Sequence, residues 1–97
     1  MIAPQAGFSP SYALARVRFL EGAAAAGMAI RSHNHPLPGR EGETLALDVA
    51  LDGPPDAERL LIVSSACHGV EGHCGSGAQV FATHDAEWRE HARTAGV

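Results

Sequence analysis

LLIVSSACHGVEGHCGSG, residues 60–77, joins the most apolar run of the chain to a stretch dense in glycine, histidine, cysteine and glutamate. Leu60, Leu61, Ile62 and Val63 are apolar on both faces of an extended chain, the pattern of a central strand covered from both sides. The polar stretch lies at the carboxyl end of that strand, where sites gather in open α/β sheets. Fold and site are thus decided together: a buried strand, then a loop at its end.

Upstream, GPPDAE at 53–58 breaks the chain. Before it, Leu45, Leu47, Val49 and Leu51 alternate with Thr44, Ala46, Asp48, Ala50 and Asp52. This period of two predicts a half-buried strand, with Asp48 and Asp52 on its solvated face. Residues 28–33 predict a second strand, and PLPGREG at 36–42 is rich in turn formers, so the two pair as a hairpin with a long loop. Nearer the start, Ser9-Pro10 reads as an N-cap and then the first helical position. Ala13, Val17, Leu20 and Ala24 recur at helical spacing, with Tyr12 and Phe19 widening the stripe, which predicts a helix over 10–26 ended by Gly27.

Downstream, 76–81 predicts a short helix. Asp85 caps another, in which Trp88, Ala92 and Ala95 share a face, Trp88 anchors the core and Gly96 is the stop. The order is helix, hairpin, buried strand, site loop, helices. The expected class is α/β, in one small domain.

A chain of 97 residues has room for one small core. With 45% hydrophobic and 19% charged residues it has the composition of a folded protein rather than a disordered one. Net charge is −4, and the basic residues sit beside acidic ones, as Arg16 and Arg18 near Glu21 or Arg89 and Arg93 near Glu87 and Glu90. Nucleic-acid binding by phosphate neutralisation is therefore not expected. The first residues lack a basic segment, and Arg16, Arg18 and Glu21 interrupt the alanine-rich stretch, so neither a signal peptide nor a membrane span is predicted. Two cysteines seven positions apart make no disulfide framework, and a reduced, cytoplasmic protein is expected.

His68 and Glu71 stand two residues apart, a spacing that lets a turn or helical start aim both side chains at one point. An imidazole and a carboxylate together suit zinc, and Gly69 and Gly72 would relieve crowding around an ion. HxxE alone is a weak pattern, and a turn carrying solvated polar residues is the other reading. Related motifs are absent, since HExxH needs a glutamate where Gly69 stands and HxxEH a histidine where Gly72 stands.

Cys67 and Cys74 flank the motif, with His68 and His73 beside them. Either thiol is a candidate nucleophile, but neighbours on an extended strand point to opposite faces, so Cys67 and His68 do not form a nucleophile and base. The structural reading makes Cys67 a buried filler and Cys74 a packed residue at a helix start. A compact Cys67, His68, His73, Cys74 zinc site is the further alternative. His33 and His35 in SHNHP would share a face on a strand and so suit a metal together, but the preferred reading is of polar residues entering a turn. His84 and His91 lie on the C-terminal helical segment.

The string HGVEG with its trailing GSGAQ resembles the zinc-site motif of the carboxypeptidase-type zinc metallopeptidases, most closely a bacterial branch catalogued as a domain of unknown function. The similarity runs through FSPSYALARVRFL, HPLPGREGETLALDVA and GPPDAERLLIVSSA, most of the chain in register. It implies that His68 and Glu71 are zinc ligands. The family's third ligand, a histidine, its substrate-binding arginine and asparagine and its general-base glutamate come from later segments, and His84 and His91 match no family position. The sequence departs from the family at Ala66 and Cys67, where glycine and threonine are usual, and at His73, where an aromatic residue is frequent.

The resemblance thus implies that 1–97 is a single partial domain, the N-terminal part of a peptidase domain with a truncated mixed sheet and flanking helices, inactive alone. The complete enzyme would hydrolyse a peptide or small amide substrate with zinc-activated water. An open sheet edge would then invite self-association. The contrasting expectation is a non-catalytic zinc-binding or assembly module built on the cysteine and histidine cluster.

Overall fold

The computed structural model describes residues 1–67 and 69–97. Its described residues form an α/β fold of three α-helices and a two-stranded antiparallel sheet, preceded by a short 3-10 turn at Pro4–Gly7. The elements are α1 (Tyr12–Ala25), β1 (Ala29–Asn34), β2 (Ala46–Leu51), α2 (Gly72–Thr83) and α3 (Ala86–Thr94). Among the described residues no helix is long and apolar enough to cross a membrane.

α1 begins later than Ser9-Pro10 suggests. Ser11 is the N-cap and its side chain accepts from the Leu14 N–H. Ser9 is otherwise engaged, its hydroxyl accepting from Arg18 Nη1. At the other end Gly27 takes φ +77, a left-handed conformation natural to glycine, and turns the chain into β1.

The hairpin forms as its alternation implies, with Ala29 opposite Leu51 and Asn34 opposite Ala46. Which face turns inward is the reverse of expectation. α1 lies over the face bearing Ser32, Ala46 and Asp48, where the Tyr12 hydroxyl accepts from Ala46 N–H and donates to Ala46 C=O, and Arg16 forks onto the Asp48 carboxylate. Four helical residues rise about 6 Å and two strand residues about 6.7 Å, so Tyr12 and Arg16 keep step with Ala46 and Asp48. Leu47 is left 64% exposed on the opposite face. Asp48 is accordingly not solvated, whereas Asp52 stays exposed as expected though paired. Asp48 is bound by Arg16 and Ser32, and Asp52 by Arg93 Nη2 at 2.7 Å, with Arg89 Nη1 at 3.8 Å.

The core is narrow and built from small residues. Ala15, Ala23, Val80 and Thr83 are buried, together with Gly7, Gly22, Gly72 and Gly77. α1 meets α2 where a Cβ on Gly22 would collide with Thr83 Oγ1. α2 meets the N-terminal turn where a Cβ on Gly7 would collide with the Gly77 carbonyl oxygen. Close approach at glycines thus takes much of the place of large interlocking side chains.

Three further expectations change. Residues 60–63 form no strand and are exposed, Leu60 to 78% and Ile62 to 76%, because the one ladder among the described residues is β1 with β2. α2 is longer than the expected 76–81, since its glycines are held by packing rather than by propensity. Trp88 is 43% exposed, because α3 carries no buried residue and is tied at its end by Asp52 and by Arg59, whose Nη1 donates to Ala95 C=O. Asp85 does cap α3, accepting from Trp88 N–H, and Gly96 ends it at φ +81.

Candidate functional site

The chain from 63 to 66 runs back along α2, antiparallel to it, and three positions on one helical face receive it. A Cβ on Gly72 would lie 2.6 Å from Ala66 Cα, and one on Gly75 would lie 2.6 Å from Ser65 Cβ. One turn further on, Gln79 closes the contact: Oε1 accepts from the Ser65 hydroxyl at 2.8 Å and Nε2 donates to Val63 C=O at 2.7 Å. Spacing of 72, 75 and 79 is that of one helix face, so the glycines and the glutamine form a shallow seat for the incoming segment. The glycines expected to relieve crowding around an ion instead make room for protein: Gly72 for Ala66, Gly69 for the Glu71 carboxylate.

Ala66 has φ 57, the one non-glycine residue in the left-handed region among those described. A side chain there costs about 1–2 kcal/mol. The kink redirects the chain immediately before the histidine of HGVEG.

His68 lies outside the described residues. After it, successive turns, Gly72 N–H to Gly69 C=O at 3.2 Å, His73 N–H to Val70 C=O at 3.3 Å and Cys74 N–H to Glu71 C=O at 3.1 Å, wind directly into α2. Glu71 is thereby the N-cap residue of α2. Its side chain folds back over the turn, with Oε2 in the space that a Cβ on Gly69 would need. Gly69 itself sits at φ +32.

In front of this turn opens a cavity of 260 Å³ lined by Ser64, Ser65, Ala66, Cys67, Glu71, Gly72 and Gly75. A carboxylate on the wall of an open, small-residue cavity suits a cation, and the thiol of Cys67 borders the same space. Among the described residues no three histidine, cysteine, aspartate or glutamate side chains come together as a metal group. His73 and Cys74, the other half of the expected cysteine and histidine cluster, do not line the cavity. Both cysteines are free and exposed, so Cys67 is not the buried filler the sequence suggests, and Cys74 lies at a helix start as expected but is not packed there.

The remaining histidines fall elsewhere. His33 is exposed on β1, and His35 Nδ1 accepts from Leu37 N–H at 3.0 Å as the chain enters its long loop, a turn role as expected. His84 is the C-cap of α2 and borders a different cavity with Arg18 and Glu21. His91 is exposed on α3. The role of Gln79 was hidden in the sequence, where its only signal was its place at the end of GSGAQ.

Residues 8–97 match the family described as Protein of unknown function (DUF2817). The chain belongs to the DUF2817 family. No curated protein and no solved structure matches it. The span matched to DUF2817 begins at Phe8, the side chain seated against Gly77, and includes the Arg16–Asp48 tie, the Ala66 kink and the Gln79 clamp.

Proposed function

We propose that this DUF2817 chain is the N-terminal portion of a carboxypeptidase-type zinc metallopeptidase, with His68 and Glu71 as two of the three protein ligands. The observation that carries the reading is Glu71: the carboxylate of HGVEG stands on the wall of the 260 Å³ cavity, at the helix start that the motif turns into. Zinc held there supplies a Lewis acid and an activated water for hydrolysis of a peptide or related amide bond. The protein's own contribution is positional. Glycine seats and the Ala66 kink bring the segment before the motif against α2, and the first turn of α2 presents the carboxylate.

Two ligands do not make a catalytic zinc site, and no described residue is assigned as third ligand or general base. The residues 1–97 alone are therefore read as inactive. A cytoplasmic, reduced setting accords with two free, exposed cysteines, and the exposed residues 60–63 favour self-association.

Zinc titration of isotope-labelled protein, tracked by amide chemical shifts, tests the reading. One-to-one binding with shifts centred on the 68–72 turn is expected, lost in both His68→Ala and Glu71→Ala. Binding that survives Glu71→Ala and disappears in Cys67→Ser with Cys74→Ser transfers the site to the cysteine and histidine cluster, the assembly-module reading. Cys67 on the cavity wall is the observation in favour of that second reading.

A further inference from the structure

The GSGAQ tail of the motif does no chemistry in the zinc reading, yet its residues make the most specific contacts around the site. Gln79 spans the incoming segment with both ends of one amide group. Its oxygen accepts from Ser65 and its nitrogen donates to the carbonyl of Val63. An amide satisfies this pair of opposite demands at once. A carboxylate lacks the donor, and an aliphatic side chain offers neither group.

This clamp has a consequence for the two residues of the proposed metal pair. Glu71 is fixed to α2 by the chain itself, as its N-cap residue. The chain leading to His68 reaches α2 through the glycine seats and, as its side-chain hydrogen bonds, through Gln79. Val63 and Ser65 precede His68 by five and three residues, so little slack separates the clamp from the motif. Gly72 and Gly75 provide contact without direction. Gln79 provides direction.

We infer that Gln79 is a positioning residue for the HGVEG turn, setting through Val63 and Ser65 where the chain enters that turn relative to Glu71, and thereby the affinity of the turn for metal. This rests on the zinc reading. Groups that orient metal ligands without touching the ion typically change affinity about 10–100-fold when removed, and a loss in that range is expected here.

The experiment compares the parent protein with Glu71→Ala, Gln79→Leu and Ser65→Ala, using zinc chloride as the probe. Zinc affinity is read from amide shifts, and the order of residues 64–67 from nitrogen-15 relaxation without metal. In Gln79→Leu, at least about ten-fold weaker zinc binding is expected. Helical circular dichroism should be unchanged, and order parameters over 64–67 should fall below the value of about 0.85 typical of rigid backbone. Ser65→Ala, which removes one of the two bonds and leaves α2 intact, should lie between. Parent-like zinc affinity in Gln79→Leu overturns the inference, whether or not the segment loosens, since a purely structural clamp would loosen it without altering affinity. If Gln79→Leu loses helix, Ser65→Ala decides, and unaltered affinity there overturns it equally. A parent protein that ignores zinc defeats the metal reading and this role with it, a failure visible before any Gln79 variant is compared.

Discussion

Arg16 and Asp48 meet through two roughly parallel bonds, Nε to Oδ2 at 2.8 Å and Nη2 to Oδ1 at 3.2 Å, joining α1 to β2. A forked pair fixes angle as well as distance, which a single point charge does not. It also explains the inverted hairpin, because a carboxylate turned toward a helix must find its counter-charge there. Arg16→Ala should lower unfolding free energy by about 2 kcal/mol, the scale of a hydrogen-bonded charge left without its partner. Urea unfolding measures it. A double-mutant cycle with Asp48→Asn should show coupling, and additive losses would mean that the two side chains act independently.

The same pair predicts a dependence on acid. Burial alone would raise the Asp48 carboxyl, but hydrogen bonds from Arg16 and Ser32 outweigh it and hold it below the ordinary value. A carboxyl lowered on folding contributes stability that is complete above its unfolded value of about 3.9 and lost as pH falls through the folded value. Between pH 5 and 2 the parent should therefore lose more stability than Asp48→Asn. Equal losses in urea titrations across that range would refute the linkage.

Ala66 at φ 57 makes an unusual forecast for a residue beside a site, namely that substitution stabilises. Ala66→Gly relieves about 1–2 kcal/mol of left-handed strain against roughly 0.5–1 kcal/mol of added chain entropy. A gain of about 0.5–1 kcal/mol is expected on balance, seen as a raised thermal midpoint. A lowered midpoint would show that the kink is absent in solution.

Gly22→Ala tests the helix contact. Alanine is the better helix former by about 1 kcal/mol, yet its Cβ would enter the space of Thr83 Oγ1, a buried hydroxyl already donating to Val80 C=O. Overpacking of this kind costs about 1–3 kcal/mol, so a net loss of about 1 kcal/mol is expected. Combining it with Thr83→Ala should recover part of that loss, as differential scanning calorimetry would show.

Residues 60–63 present four apolar side chains to solvent, the two least exposed, Leu61 and Val63, at 56% each. Sedimentation velocity should show association that grows with protein concentration and is reduced in Ile62→Lys. Identical, concentration-independent monomers for both proteins would count against it.

The sequence carried the hairpin well, because period-two alternation and the turn-rich 36–42 loop are local signals. It misassigned the inward face because alternation says which residues share a side and not which side a helix will cover. Arg16, more than thirty residues upstream of Asp48, made that choice. The motif's place behind an apolar run was legible too. The full extent of α2 was not, since Gly72, Gly75 and Gly77 read as loop by propensity, and their lack of a side chain serves the close approach of Ala66, Ser65 and Phe8. Apolar character on both faces marked 60–63 for burial, but burial requires neighbours that a residue pattern cannot name.

The glycine pattern of α2 also governs how this helix can evolve. Positions 72 and 75 on one side and 77 on the other admit no side chain without moving a neighbour, whereas exposed Ala78 between them faces no such limit. Drift along α2 is therefore confined to a comb of allowed teeth and forbidden gaps. A saturation-mutagenesis survey scored for folding would trace that comb directly, and its gaps would map where the two flanking segments touch the helix, without reference to any ligand.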